Sequence, residues 1–255
     1  MNKFLFFLLA VFMFFPFSYA QGFSKMGEDC SKCHMLTKEE AAGIVKNISP
    51  AWNVIGVKSG PAKAMWEIDI ATGQKNVPAY LDFSKRYILM GELIDLKEKR
   101  NLSRESFENL NKVDVSTIPL DDAIVMGDKN APYKVIIFSD PECPYCAKLH
   151  EELKKIILKR KDIAFFIKMF PLPIHKGAYE KAKAIVCDKS LALLDDAFAK
   201  KEIPPAKCTT TVLDDNIKLG EKLGINGTPA IILPDGRVNP GYMEADALIK
   251  EIEKK

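Results

Sequence analysis

Two cysteines three residues apart stand at the junction of an apolar run and an amphipathic repeat, and that junction limits what this chain can fold into more than any other segment. Lys134-Val135-Ile136-Ile137-Phe138 is a continuous apolar strand, whereas Leu149, Leu153, Ile156 and Ile157 recur at helical spacing. Cys143-Pro144-Tyr145-Cys146 therefore falls where a strand has ended and a helix begins. Pro144 suits the first helical position, because its missing N–H would have been unpaired there. A second buried strand over residues 163–170 follows at once. Strand, helix and strand in that order imply a right-handed crossover and a partly parallel sheet. Helical sequence then runs over about residues 176–200, strand sequence over residues 225–233, an Asp235-Gly236 hairpin turn, and a last helix over residues 244–253.

The placement carries chemistry. A thiolate is the nucleophile in disulfide exchange, and unpaired N–H groups and the dipole at a helix amino terminus lower a thiol's pKa. Cys143 occupies that place. Cys146, inside the first turn, is close enough to close an intramolecular disulfide and release a partner trapped as a mixed disulfide. Attack by Cys143 and resolution by Cys146 is the expected order. A lone C-x-x-C also suits half of a zinc site or a structural bridge. Compact zinc ribbons place about 15 to 20 residues between their pairs, whereas the other C-x-x-C, Cys30 and Cys33, lies roughly a hundred residues away. Gly227-Thr228-Pro229 immediately precedes the strand Ala230-Ile231-Ile232-Leu233, and by itself such a dipeptide is an ordinary turn signal.

At the amino terminus Lys3 precedes an apolar run over residues 4–17, too short to span a bilayer, and Ser18-Tyr19-Ala20 has the small-x-small form of a cleavage site. Residues 1–20 are expected to be a signal peptide and the rest an exported chain in an oxidising compartment, where cysteine pairs persist. All six cysteines lie in that mature part. The formal net charge of +3 falls further once Lys3 is removed, so nothing suggests nucleic acid or an anionic membrane as partner. The remaining length suits two domains. Residues 37–48 form a helix expected to start at a Thr37/Glu40 capping box. Trp66-Glu67-Ile68-Asp69-Ile70, Ala79-Tyr80-Leu81-Asp82 and Tyr87-Ile88-Leu89-Met90 look like strands, a polar helix begun by Ser103 is expected within residues 96–112, and residues 113–120 look like a linker.

A strand, C-P-Y-C, a helix and a late T-P before a strand resemble the thioredoxin superfamily. Phe138-Ser139-Asp140-Pro141-Glu142-Cys143-Pro144-Tyr145-Cys146-Ala147-Lys148-Leu149-His150 is similar to the active-site segment of bacterial periplasmic disulfide isomerases of the DsbC/DsbG type. The resemblance implies an α+β and α/β chain: a small amino-terminal α+β dimerisation domain over residues 21–100, a helical linker over 101–120, and a thioredoxin-like catalytic domain with a helical insertion over 121–255. It implies a cis Pro229, with the Thr228 backbone pairing with an extended client segment by strand addition and with Pro144 and Tyr145 alongside. Ala182-Lys183-Ala184-Ile185-Val186-Cys187 and Pro205-Ala206-Lys207-Cys208 look like the family's structural disulfide segment, implying a Cys187 to Cys208 bridge. Implied partners are misfolded or misoxidised exported proteins, a membrane thiol reductant of the DsbD type, and a second copy of the chain. The implied activity is a periplasmic disulfide isomerase or reductase that requires no cofactor.

Cys30-Ser31-Lys32-Cys33-His34 departs from that pattern. C-x-x-C-H is a c-type haem attachment signature, with His34 as axial ligand, and Met26, Met35 and Met65 are distal candidates only in name. Covalent haem, a disulfide or second redox pair, and metal binding stay open there. His150, seven residues after Cys143, and His175, after the Pro171-Leu172-Pro173 loop, are expected to be packed or solvated rather than catalytic. Two other functions fit the same residues: a dithiol oxidase, since the motif serves both directions, and a chaperone or binding module, with apocytochromes as one client class. Asp140 and Glu142 flank the nucleophile, and their effect on its thiolate is open.

Overall fold

The structure is a computed structural model that describes residues 34–73 and 75–254. The signal peptide expected over residues 1–20, and Cys30 and Cys33 with their candidate roles, lie outside the described residues. His34 is exposed. A compact unit spans Leu36–Lys255. Helix α1 (Lys38–Lys46) starts at Thr37, whose side chain accepts the Glu40 N–H at 3.1 Å. Strands β1 (Asn53–Ser59), β2 (Met65–Ala71), β3 (Asn76–Asp82) and β4 (Ile88–Leu89) follow as an antiparallel sheet in chain order. Trp66, Ile68 and Ile70 share one face of β2 and join Ala41 and Val45 of α1 in a buried cluster with Ala79 and Leu81. Glu67 and Asp69 alternate with them and are also buried. A register shift between Val54 and Gly56 brings β1 so close to Asp69 that a Cβ at Gly56 would meet Oδ2 at 2.7 Å. Polar residues and Gly56 hide β1 from a search for alternating apolar positions.

One helix start is corrected. Helix α2 (Leu102–Leu110) is capped by Asn101, which accepts the Arg104 N–H at 2.9 Å, and residues before it form a short hairpin of β5 (Ile94–Asp95) and β6 (Arg100–Asn101). Ser103 lies buried in the first turn instead. Its hydroxyl pairs with the Tyr80 hydroxyl at 2.8 Å and accepts the Leu93 N–H at 2.8 Å. Both residues are good caps, and tertiary partners claimed the serine.

After a single 3-10 turn at Val115–Thr117 come β7 (Ile124–Met126), β8 (Tyr133–Ser139), α3 (Pro144–Lys159) and β9 (Ile163–Met169). Then follow α4 (Ala178–Asp188), α5 (Leu191–Phe198), α6 (Val212–Lys222), β10 (Ala230–Ile232), β11 (Val238–Pro240) and α7 (Ala245–Glu253). The sheet order is β11-β10-β8-β9-β7, with β8 and β9 parallel across α3 and the other pairs antiparallel. Three helices, α4 to α6, are inserted between β9 and β10, which makes the chain a mixed α+β protein with an inserted helical layer. Helix α6 and the short strands β7 and β11 went unread because three-residue strands carry no period and α6 is largely polar.

Val135 and Ile137 point to the core side shared with Leu149, Leu153 and Ile156 of α3, while Ile136 and Phe138 pack on the other side with Phe166 and Phe170. Burying each of these side chains stabilises the fold by about 1.5–3 kcal/mol. Lys168 is fully buried in β9, and its ammonium is bound by Asp122 and, at 2.9 Å, by the Pro119 carbonyl. Gly236, with φ of 88°, turns β10 into β11 and accepts the Val113 N–H at 2.8 Å; a Cβ there would meet the Val113 oxygen at 2.2 Å. No helix among the described residues is long and apolar enough to cross a membrane.

Candidate functional site

Strand β8 ends at Ser139, and the chain turns through Asp140, Pro141 and Glu142 to reach Cys143, the residue that caps α3. Cys143 is extended (φ −76°, ψ 120°), with Pro144 following at the head of the helix. Its N–H donates to the Asp140 carbonyl at 3.1 Å, and its own carbonyl accepts the Ala147 N–H at 3.1 Å. The thiol is thereby held over the open end of the helix. Cys146 is on the buried face of α3 with Leu149, His150, Leu153 and Ile156. Cys143 and Cys146 are both free thiols and both buried.

The two sulfurs are chemically unlike. Cys143 is pulled down to about 5, chiefly because the Cys146 thiol donates to it; burial opposes this, and the Cys146 N–H, Thr228 and the Tyr145 N–H reinforce it. Burial pushes Cys146 the other way, and its bond to Cys143 holds its proton further. The Asp140 N–H lies 3.5 Å from the Cys146 sulfur. At neutral pH this is a thiolate beside a thiol, an arrangement able to attack a disulfide and then be resolved internally.

Thr228 and Pro229 arrive from the loop between α6 and β10. The Thr228–Pro229 peptide is cis, Pro229 is buried, and the Cys143 sulfur lies 3.4 Å from the Thr228 carbonyl oxygen. Tyr145 is 58% exposed, with the Lys148 ammonium 5.4 Å from its ring centre. Pro144 is exposed too. Ile174, on the loop after β9, is 79% exposed. Cys187 and Cys208 are joined by a disulfide that ties the end of α4 to the segment before α6.

The acidic flank is answered from elsewhere in the chain. Glu142 accepts from Lys181 at 2.7 Å and from the Gly177 N–H at 3.1 Å, and the lysine holds its carboxyl below the usual range. Asp140 is fully buried and accepts the N–H groups of Glu142 and Leu172, each at 2.7 Å, and faces His175 Nδ1 at 2.8 Å. His150 is remote in role. It is buried against Phe198, 2.7 Å from Asp195, and burial pushes its pKa down, so it joins α3 to α5. Asp140 stands in the active-site segment, but its pairing with His175 is not legible in the sequence, since 35 residues separate the two and His175 stands in no motif. Among the described residues no group of three or more His, Cys, Asp or Glu side chains could hold a metal ion.

A thioredoxin-like domain model matches residues 120–255. The chain is 35% identical over 140 residues to the thiol:disulfide interchange protein DsbC of Salmonella typhimurium, covering 52% of this chain and 56% of that one. It is 28% identical over 199 residues to a Bordetella pertussis protein named "Probable thiol:disulfide interchange protein DsbC", covering 77% and 67%. Among solved structures, a disulfide interchange protein from Neisseria gonorrhoeae shares 31% identity with a TM-score of 0.47, covering 54% of this chain and all of that chain. The chain spans about half to two thirds of the length of the curated relatives it matches. The match over residues 120–255 shows that the chain belongs to the thioredoxin-like family, and the curated relatives it is similar to are named as thiol:disulfide interchange proteins DsbC.

Proposed function

We propose that this chain is a periplasmic thiol-disulfide oxidoreductase acting as a homodimeric disulfide isomerase or reductase, with Cys143 as nucleophile and Cys146 as resolving thiol. The observation that carries this is a pair of free, buried thiols at the head of α3, with the Cys143 sulfur 3.4 Å from the Thr228 carbonyl before the cis Pro229; the unequal pull on the two thiols supports it. The Cys143 thiolate attacks one sulfur of a client disulfide. That S–S bond breaks, the other client sulfur leaves as a thiolate, and a Cys143–client disulfide forms. On the isomerase route a second client thiolate then displaces Cys143, giving an isomerised client with no net electron transfer. Alternatively Cys146 gives its proton to the departing client thiolate and attacks Cys143, so the client gains two electrons and the Cys143–Cys146 disulfide forms.

Thr228, Pro229, Pro144 and Tyr145 are proposed to seat the client as an added strand, which the Thr228 carbonyl beside the Cys143 sulfur supports. Exported misfolded or misoxidised proteins are the proposed clients, and a membrane thiol donor of the DsbD type the proposed reductant. For the second copy, β4 is one of the two edges of the amino-terminal sheet, and Tyr87, Leu89, Met90, Ile94 and Leu96 around it are exposed. The proposed division is a signal at 1–20, a dimerisation domain at 21–100, a linker at 101–120 and a catalytic domain at 121–255. The low position of Cys143 favours one second reading, a dithiol oxidase, because a stabilised thiolate makes the disulfide more oxidising.

Refolding of a scrambled disulfide client in glutathione buffer tests the proposal. The expected result is activity lost in Cys143→Ala and mixed disulfides accumulating in Cys146→Ala. A Cys143→Ala chain that restores native disulfides overturns it in favour of a chaperone. The midpoint of the Cys143–Cys146 couple against glutathione separates isomerase from oxidase.

A further inference from the structure

Asp140 touches both halves of the redox pair and a histidine. Its carbonyl accepts the Cys143 N–H, its N–H lies against the Cys146 sulfur, and its carboxylate takes the Glu142 and Leu172 N–H groups and His175 Nδ1. The side chain of Asp140 is 0% exposed, and that of His175 is 22% exposed on the rim. Among the described residues His175 is the one basic side chain paired with Asp140. With the imidazole protonated the pair is neutral. With the imidazole neutral it leaves a buried negative charge three residues from the Cys143 thiolate, where water screens poorly.

We propose that His175 is a positioning residue for thiol exchange: its imidazolium, held on Asp140, cancels that carboxylate against the Cys143 thiolate and couples the redox state of the pair to a proton at the rim. This rests on the oxidoreductase reading of Cys143. The other charged groups acting on His175 are Cys143 and Glu142; Glu142 is itself bound by Lys181 of α4, and Lys176 is next in sequence. Asp140 holds the His175 proton above its ordinary range, and the charges of Cys143 and Glu142 add to that hold. Coupling is reciprocal: forming the thiolate strengthens the His175 proton as much as the proton strengthens the thiolate. Oxidation to the Cys143–Cys146 disulfide by a client disulfide passes two electrons and the Cys146 proton to the client and removes the thiolate charge, and with it part of the hold on the His175 proton.

The test is an imidazole NMR titration of the mature chain in its reduced and oxidised states, with Cys143 thiolate titrations of His175→Gln and His175→Arg. His175 is expected to titrate at higher pH in the reduced protein. His175→Gln is expected to weaken the thiolate and shift the glutathione equilibrium about tenfold toward the disulfide, or about 30 mV for this two-electron couple. His175→Arg, with a permanent charge, is expected to keep the thiolate low and flatten the pH dependence. Equal His175 midpoints in both redox states overturn the assignment, and this measurement on the unmodified chain holds even if a variant fails to fold. Were Cys143→Ala still active on clients, the oxidoreductase reading itself would fall, a result distinct from an inert His175.

Discussion

Replacing Cys146 by alanine or by serine separates the two physical sources of the Cys143 thiolate. The largest pull on Cys143 is the hydrogen bond from the Cys146 thiol, ahead of the N–H groups of the helix end. A hydrogen bond to a charged group contributes about 1.5–3 kcal/mol, and about 1.36 kcal/mol corresponds to one pH unit of titration. Cys146→Ala should therefore lift Cys143 from about 5 to roughly 6–7. At pH 5.5 the thiolate would fall from about three quarters of the protein to about a quarter or less. Cys146→Ser keeps an O–H donor at the same place and should stay near the parent. Ultraviolet thiolate absorbance against pH measures each midpoint, with Cys143→Ala as the blank. A Cys146→Ala midpoint equal to that of the parent would refute the assignment and leave the helix terminus as the whole cause. A serine variant that rises as far as the alanine variant would show that packing around the sulfur matters rather than its proton.

Reducing or replacing Cys187 and Cys208, which lie 21 residues apart, should cost about 3 kcal/mol of unfolding free energy, read as a lower urea midpoint with a somewhat steeper slope, because the uncrosslinked denatured chain is more expanded. Burial holds the His150 pKa down, so the unfolded chain takes up a proton near its ordinary value of about 6.5 that the folded chain resists. Stability should therefore decline as pH falls below that value, and urea midpoints of the oxidised protein at successive pH values should show a shallower decline in His150→Gln. Parallel declines in parent and variant would assign the acid sensitivity to other groups.

The helix amino terminus was legible because it depends only on neighbours. An apolar strand, Pro144 at the first helical position and Leu149, Leu153 and Ile156 at helical spacing place Cys143 over the helix end and Cys146 on its inner face, whatever surrounds them. The parallel pairing of β8 and β9 followed from the short strand-helix-strand order for the same reason. Three-residue strands and the start of α2 were not legible, since they exist through partners such as Phe166 beside Val125 and Tyr80 beside Ser103.

What the sequence alone determined about this protein is the identity of its reactive pair and the scaffold that holds it, because cysteine spacing and apolar period act over a few residues. Only the tertiary structure decided the charge around that pair. Glu142 is answered by Lys181, Asp140 by His175 and the Cys143 sulfur is met by Thr228, contacts 39, 35 and 85 residues apart along the chain. A buried charge is tolerated only beside a partner, and the partner's place is set by how the loops pack over the sheet rather than by any local pattern.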